Sequence, residues 1–224
     1  MAEPNIPIWV TDRLGVVLPV LGRYIPENQL LLGGGTVLQA RWNHRISTDI
    51  DLFTDRQLFN TVIATSSNQL ERDLCRIPAV NPERSWVDLN TVYCELDGTE
   101  LTVMPSSMLV DEASGHVVPS TLVKTESTAT ILHKKVAARM VEAGACEIRD
   151  VFDLYTAITR DQDALNDAIR PIPQRSLDRV SALMKSRPTS WYEDTTKPLV
   201  GVDPLPDVRE MVNQLAEVFG FDAN

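Results

Sequence analysis

Apolar positions along this chain recur with two periods, and the change of period divides it. Residues 11–24 carry apolar side chains at helical spacing, which predicts a helix despite Pro19. Residues 29–32 form a short apolar strand that runs into Gly33, Gly34 and Gly35, and 36–42 predicts a short helix. At 49–53 the pattern alternates: Ile50 and Leu52 are apolar, Asp49 and Asp51 acidic, as in a strand with one buried face. Residues 57–75 read as a long helical stretch, divisible into two pieces. Residues 86–96 and 100–104 read as two strands joined by Asp97-Gly98, a short hairpin signal, with Pro105 ending the second. A further strand is expected at 121–124. Beyond it every apolar pattern is helical, at about 127–142, 147–159, 175–185 and 207–219. The pattern predicts an α+β fold, with a small mixed sheet and flanking helices over 1–125 and an all-helical part over 126–224.

Composition narrows the class without naming a chemistry. The chain has 224 residues, of which 43% are hydrophobic, enough for a substantial core. No apolar run nears the ~20 residues that cross a bilayer. Gly15 and Pro19 interrupt the best candidate, 14–21, and the N-terminus lacks the pattern of a signal peptide. Three widely spaced cysteines, Cys75, Cys94 and Cys146, form no CxxC pair and suit free thiols in the cytoplasm. A formal net charge of −10 opposes general binding to polyanions, so any nucleic-acid contact needs a local basic patch. The expected patch comprises Arg41, Arg45, Lys134, Lys135 and Arg139.

The chemistry lies in the glycine turn and the paired aspartates. Glycines permit close backbone approach and positive φ, and the helix that follows offers free N–H groups. Gly34, Gly35 and Thr36 therefore suit a triphosphate. Two residues apart on a strand, Asp49 and Asp51 place their carboxylates on one face, where they repel each other. A divalent cation relieves that repulsion, and Mg²⁺ favours hard oxygen ligands. The sequence thus runs G-G-T, twelve residues, D-x-D.

That arrangement resembles the signature of polymerase β-type nucleotidyltransferases. The segment GGGTVLQARWNHRISTDIDLF further resembles the AbiEii nucleotidyltransferase toxins of type IV toxin–antitoxin systems, through Gly34, Gly35, Thr36, His44, Arg45, Ser47, Asp49, Asp51 and Phe53. Arg149, Asp150, Asp153 and Leu154 match a later R-D-x-x-D-L helix, which follows a lysine-bearing helix where Lys134 and Lys135 compete. On a helical wheel Lys135 and Arg139 fall on the buried-side arc and Lys134 points away. The resemblance implies that the helical part completes the active site. Asp49 and Asp51 would hold Mg²⁺, with Mn²⁺ as a substitute. Lys135 and Asp150 would join them as catalytic residues. Gly34, Gly35, Thr36, Arg45, Lys134 and Arg139 would bind the nucleotide. It further implies an NTP substrate, an RNA acceptor such as a tRNA 3′ end, toxin activity and a cognate antitoxin. A small-molecule acceptor, in the manner of aminoglycoside nucleotidyltransferases, fits the same motifs. So does a non-catalytic nucleotide-binding module, although both aspartates are intact. Asp153 is expected to be a structural partner of Arg149 or Arg139. Many relatives carry a third carboxylate on a later strand; here Glu100 and Thr102 stand on it, with Glu95, Asp97 and Asp88 nearby, and none is singled out.

Overall fold

The computed structural model describes residues 4–106, 115–193, 199–202, 204 and 206–220. The chain forms two compact units. The first comprises 1–43 and 47–127, the second 128–224 together with His44–Ile46.

The first unit is built on one six-stranded mixed sheet. Its helices are α1 (Ile8–Leu21), α2 (Gly34–Trp42) and α3 (Arg56–Leu74). Its strands are β1 (Leu31–Leu32), β2 (Ile50–Asp55), β3 (Val80–Val87), β4 (Val92–Leu96), β5 (Thr99–Ser106) and β6 (Lys124–Thr125). They lie in the order β3-β4-β5-β2-β1-β6. β2 pairs antiparallel with β1 and parallel with β5. The alternation seen in the sequence is realised here: Ile50, Leu52 and Thr54 are buried, while Asp51, Phe53 and Asp55 are half-buried. Val10, Leu14, Val17 and Leu21, spaced at three and four, bury one side of α1.

Three elements differ from expectation for local reasons. Residues 86–96 are two strands, because the Asp88 carboxylate accepts from the Asn90 and Thr91 N–H groups and closes a turn between β3 and β4. β5 runs past Pro105 to Ser106. Its pairing with β4 stops at Val103, so the missing proline N–H costs no ladder bond on that side. α3 is a single helix. Asp55 caps it through the Leu58 N–H at 2.9 Å, and the Thr61 and Thr65 hydroxyls fold back onto carbonyls four residues earlier.

The second unit is helical. It contains α4 (Thr128–Lys134), a π-helical segment (Lys135–Glu142), α5 (Ile148–Arg160), α6 (Gln162–Ile169), α7 (Gln174–Ser186), α8 (Thr189–Glu193) and α9 (Val208–Val218). The expected helix over 127–142 is thus an α-helix that widens at Lys135. No described helix is long and apolar enough to cross a membrane.

Candidate active site

Strand pairing brings the two sequence motifs of the first unit together. β1 lies antiparallel to β2, with Leu32 opposite Leu52, so the chain enters the glycine turn beside Asp51. The Gly33 N–H donates to the Asp51 carbonyl at 2.9 Å. Gly34 has φ of +65°, and a Cβ there would overlap the Asp51 Oδ2. The carboxylate therefore packs directly on the turn, and only glycine satisfies both the backbone and the space. Thr36 is fully buried, and its hydroxyl donates to the Asp49 carbonyl at 2.5 Å. That bond ties the first turn of α2 to the start of β2 and engages the hydroxyl expected to help bind phosphate.

Asp51 is set on its other side by β5. Thr102 stands opposite it in the parallel register, and its hydroxyl donates to Asp51 Oδ1 at 3.0 Å. Thr102 thus occupies the place on β5 where a third carboxylate was sought. Among the described residues no group of three His, Cys, Asp or Glu side chains could hold a metal ion. Glu126, which sequence reasoning missed, is buried just after β6, and a Cβ on Gly33 would overlap its Oε2. Its place is set by the Glu126 N–H donating to the Leu32 carbonyl at 2.9 Å and by Arg41 donating to the Glu126 carbonyl. No local signal marks it, since only the pairing of β6 with β1 brings it to the turn.

The second unit gathers the other expected residues into one buried ion cluster. The Lys135 Nζ sits 2.8 Å from Asp150 Oδ1 and 2.9 Å from Asp153 Oδ2. Arg45 donates to both oxygens of Asp153, through Nε at 2.7 Å and an Nη at 2.9 Å. His44 lies 2.7 Å from the same carboxylate and stacks on Phe152. Arg139 reaches Asp150 at 2.8 Å and Glu147 at 3.0 Å. The partners of Asp153 are therefore Arg45, His44 and Lys135, not the Arg149 or Arg139 expected from sequence proximity. Arg149 binds Glu147 instead. Lys135 is buried and Lys134 half-buried, the order the helical wheel gives.

Electrostatics of the cluster follow from this geometry. Burial raises the pKa of Asp153, but the charges of Lys135 and Arg45 outweigh it and hold the carboxyl well below its ordinary range. Asp150 is lowered in the same balance, by Lys135 and Arg139. Burial opposes the charge on Lys135, yet the two aspartates raise its pKa above the ordinary lysine value.

A model of the AbiEii nucleotidyl transferase toxins of type IV toxin–antitoxin systems matches residues 19–214. The chain belongs to the AbiEii family. Membership makes it a nucleotidyltransferase of toxin–antitoxin type, and implies a nucleotide substrate and an antitoxin partner. The AbiEii chain also shares its fold with two solved structures. One is Helicobacter pylori JHP933, at 14% identity and a TM-score of 0.51, over 96% of this chain and 92% of that one. The other is a provisionally assigned nucleotidyltransferase of H. pylori, at 14% identity and a TM-score of 0.53, over 96% and 94%. No curated protein shows significant sequence similarity to it.

The Gly34–Asp51 contact yields a prediction with an internal control. Gly34→Ala should cost about 1–2 kcal/mol of stability through its left-handed backbone and also displace the Asp51 carboxylate. Gly98, at φ +81°, has open space where a Cβ would go. Gly98→Ala should show a similar stability loss and normal transfer. Urea melts and transfer assays on both variants check this; loss of transfer in both would dissociate the effect from Asp51.

Proposed function

We propose that the protein moves a nucleoside monophosphate from an NTP to an RNA acceptor, a tRNA 3′ end, in a Mg²⁺-dependent reaction in the cytoplasm, and that this transfer is its toxic activity. The observation that carries the proposal is the Asp51 carboxylate packed on the glycine turn at Gly34, with Asp49 two residues before it. A carboxylate packed on a glycine turn, with a second two residues before it, fits Mg²⁺, which binds through one or two carboxylates and otherwise through substrate phosphates and water. Asp49 and Asp51 would hold the ion, with Mn²⁺ as a substitute. When bound it supplies Lewis acidity at the α-phosphate and neutralises charge on the pyrophosphate.

The chain's own groups account for the rest. Gly34, Gly35 and the N-terminus of α2 offer N–H donors to the β- and γ-phosphates. Thr36 fixes that turn against β2 through its bond to Asp49. The acceptor hydroxyl forms the new bond to the α-phosphorus and releases its proton, and the bond to the bridging oxygen breaks, so pyrophosphate departs. Lys135 and Asp150 are assigned to the transfer step, and Arg45, Arg139 and Lys134 to nucleotide binding, as the family resemblance implies. On this assignment Lys135→Ala should impair the use of Mg²⁺-NTP more than Lys134→Ala in steady-state kinetics. Equal losses, or a larger one at Lys134, would contradict it.

Expression in cells tests the proposal as a whole. Expression of the chain without its antitoxin should slow growth, and Asp51→Asn should relieve the effect. A slowdown that persists in the variant would point to sequestration rather than catalysis. Normal growth with the wild type would favour a small-molecule acceptor.

A further inference from the structure

The cations expected to receive RNA are mostly engaged elsewhere. Arg45, Lys135 and Arg139 are ion-paired with Asp150 and Asp153, and Arg41 donates to the Glu126 carbonyl. Another place in the second unit gathers positive charge differently. A cavity of about 230 Å³ opens where α7, α8 and α9 converge. Met184, Tyr192 and Val212 line it with buried side chains, and Lys185, Arg187 and Arg209 add three positive charges. Among the described residues no acidic side chain lines it. Among the described residues neither Arg187 nor Arg209 forms an ion pair, in a chain whose net charge is −10.

Arg187 is held by an aromatic ring, with no ion-pairing acid among the described residues. Its guanidinium carbon lies 3.9 Å from the centre of the Trp191 ring. Stacking of this kind fixes a guanidinium without consuming its in-plane donors. Its Nε is buried and has no hydrogen-bond acceptor among the described residues. A buried donor of this sort calls for an acceptor, and a phosphate oxygen meets both its charge and its geometry. The apolar floor suits the flat face of a base. Apolar wall, amide and cations together describe a nucleotide of a single strand, and Asn213 supplies the amide. An acidic peptide would satisfy the cations but would leave the floor without a matching group.

We propose that this cavity binds one nucleotide of the single-stranded RNA acceptor, its phosphate on Arg187 and Arg209 and its base against Met184, Tyr192 and Val212. Trp191 is a positioning residue that sets Arg187. The proposal rests on the reading of the acceptor as RNA, and it places acceptor recognition in a part of the chain to which the sequence motifs assign nothing.

The test measures binding without NTP or Mg²⁺, by anisotropy of a short labelled single-stranded oligoribonucleotide. Loss of two charge-assisted phosphate contacts in Arg187→Ala/Arg209→Ala should weaken binding by roughly tenfold or more. The slope of log affinity against log salt should become shallower by about 1.4, at ~0.7 per contact for single strands. Arg160→Ala/Arg170→Ala, which removes the same charge from exposed positions, should change binding less than about twofold. Arg187→Lys keeps the charge but loses the fork, and should fall between wild type and the double variant. A urea melt of each variant separates binding loss from unfolding. In transfer assays the double variant should raise the KM for RNA and leave kcat and the KM for NTP unchanged. Unchanged RNA affinity in the folded double variant, an equal loss in the charge-matched control, or selective loss of antitoxin binding would overturn the proposal. Should the wild type label no RNA with any NTP, the proposed function falls, while the anisotropy measurement still decides whether the cavity takes RNA.

Discussion

Asp51→Asn is expected to lower nucleotidyl transfer by at least roughly a thousandfold, about 4 kcal/mol of transition-state stabilisation, while the protein stays folded. The substitution keeps the shape of the side chain. Its carbonyl oxygen can still accept from Thr102, and its amide fills the space beside Gly34 now held by Oδ2. What disappears is the negative charge at the turn. Because the shape and the bond from Thr102 are kept, the urea midpoint should stay within about 1 kcal/mol of wild type. Transfer kinetics and the melt are measured on the same preparation. A folded variant with near-normal transfer would remove Asp51 from the site, and an unfolded one would make its role structural.

Asp153→Ala should have the largest effect on stability, a loss of about 3–5 kcal/mol. Arg45 and Lys135 are both buried and both direct charge at this carboxylate, so its removal strips Arg45 of its acid and leaves Lys135 with Asp150 alone, three charged groups in the interior with a net positive charge. The same cluster sets a pH dependence. Asp150 and Asp153 have lowered pKa values when folded. Their contribution is therefore complete above the unfolded aspartate value, about 3.9, and is lost as pH falls through the lower folded values. Lys135 is raised, so its contribution is complete below about 10.4 and is lost as pH rises through its folded value. Stability from these groups should be flat between about pH 5 and 9 and fall at both ends. Urea midpoints against pH, for wild type and Asp153→Asn, check this. The variant's acid slope should be shallower, and identical slopes would show that the acid loss arises elsewhere.

Where sequence patterns are local, they describe this protein well. The period of two at 49–53 puts Ile50 and Leu52 in the core and Asp51 on the other face of β2, and β2 has that alternation of burial, although the strand begins only at Ile50, one residue after Asp49. The order of burial at Lys134 and Lys135 follows from a wheel because residues 128–134 are an ordinary α-helix, which ends where Lys135 begins. The widening to a π-helix over Lys135–Glu142 leaves no trace in the apolar pattern. Long-range partners are invisible for a different reason. Thr102 meets Asp51 through a parallel register, and Glu126 meets Gly33 through the two-residue strand β6. Asp153 likewise joins Arg45, 108 residues away, while its neighbours Arg149 and Arg139 take other partners. An ion pair in a folded chain is chosen by packing, and a helical wheel offers only candidates within a few turns.

Transfer itself is the most direct measurement. The purified protein is incubated with each α-labelled NTP in turn, Mg²⁺ and total cellular RNA, with chelated and Asp51→Asn reactions alongside. A labelled RNA band of tRNA size with one or more NTPs, lost on chelation and in the variant, is the predicted result. A band that persists in Asp51→Asn, or label that passes only to small molecules, would contradict it.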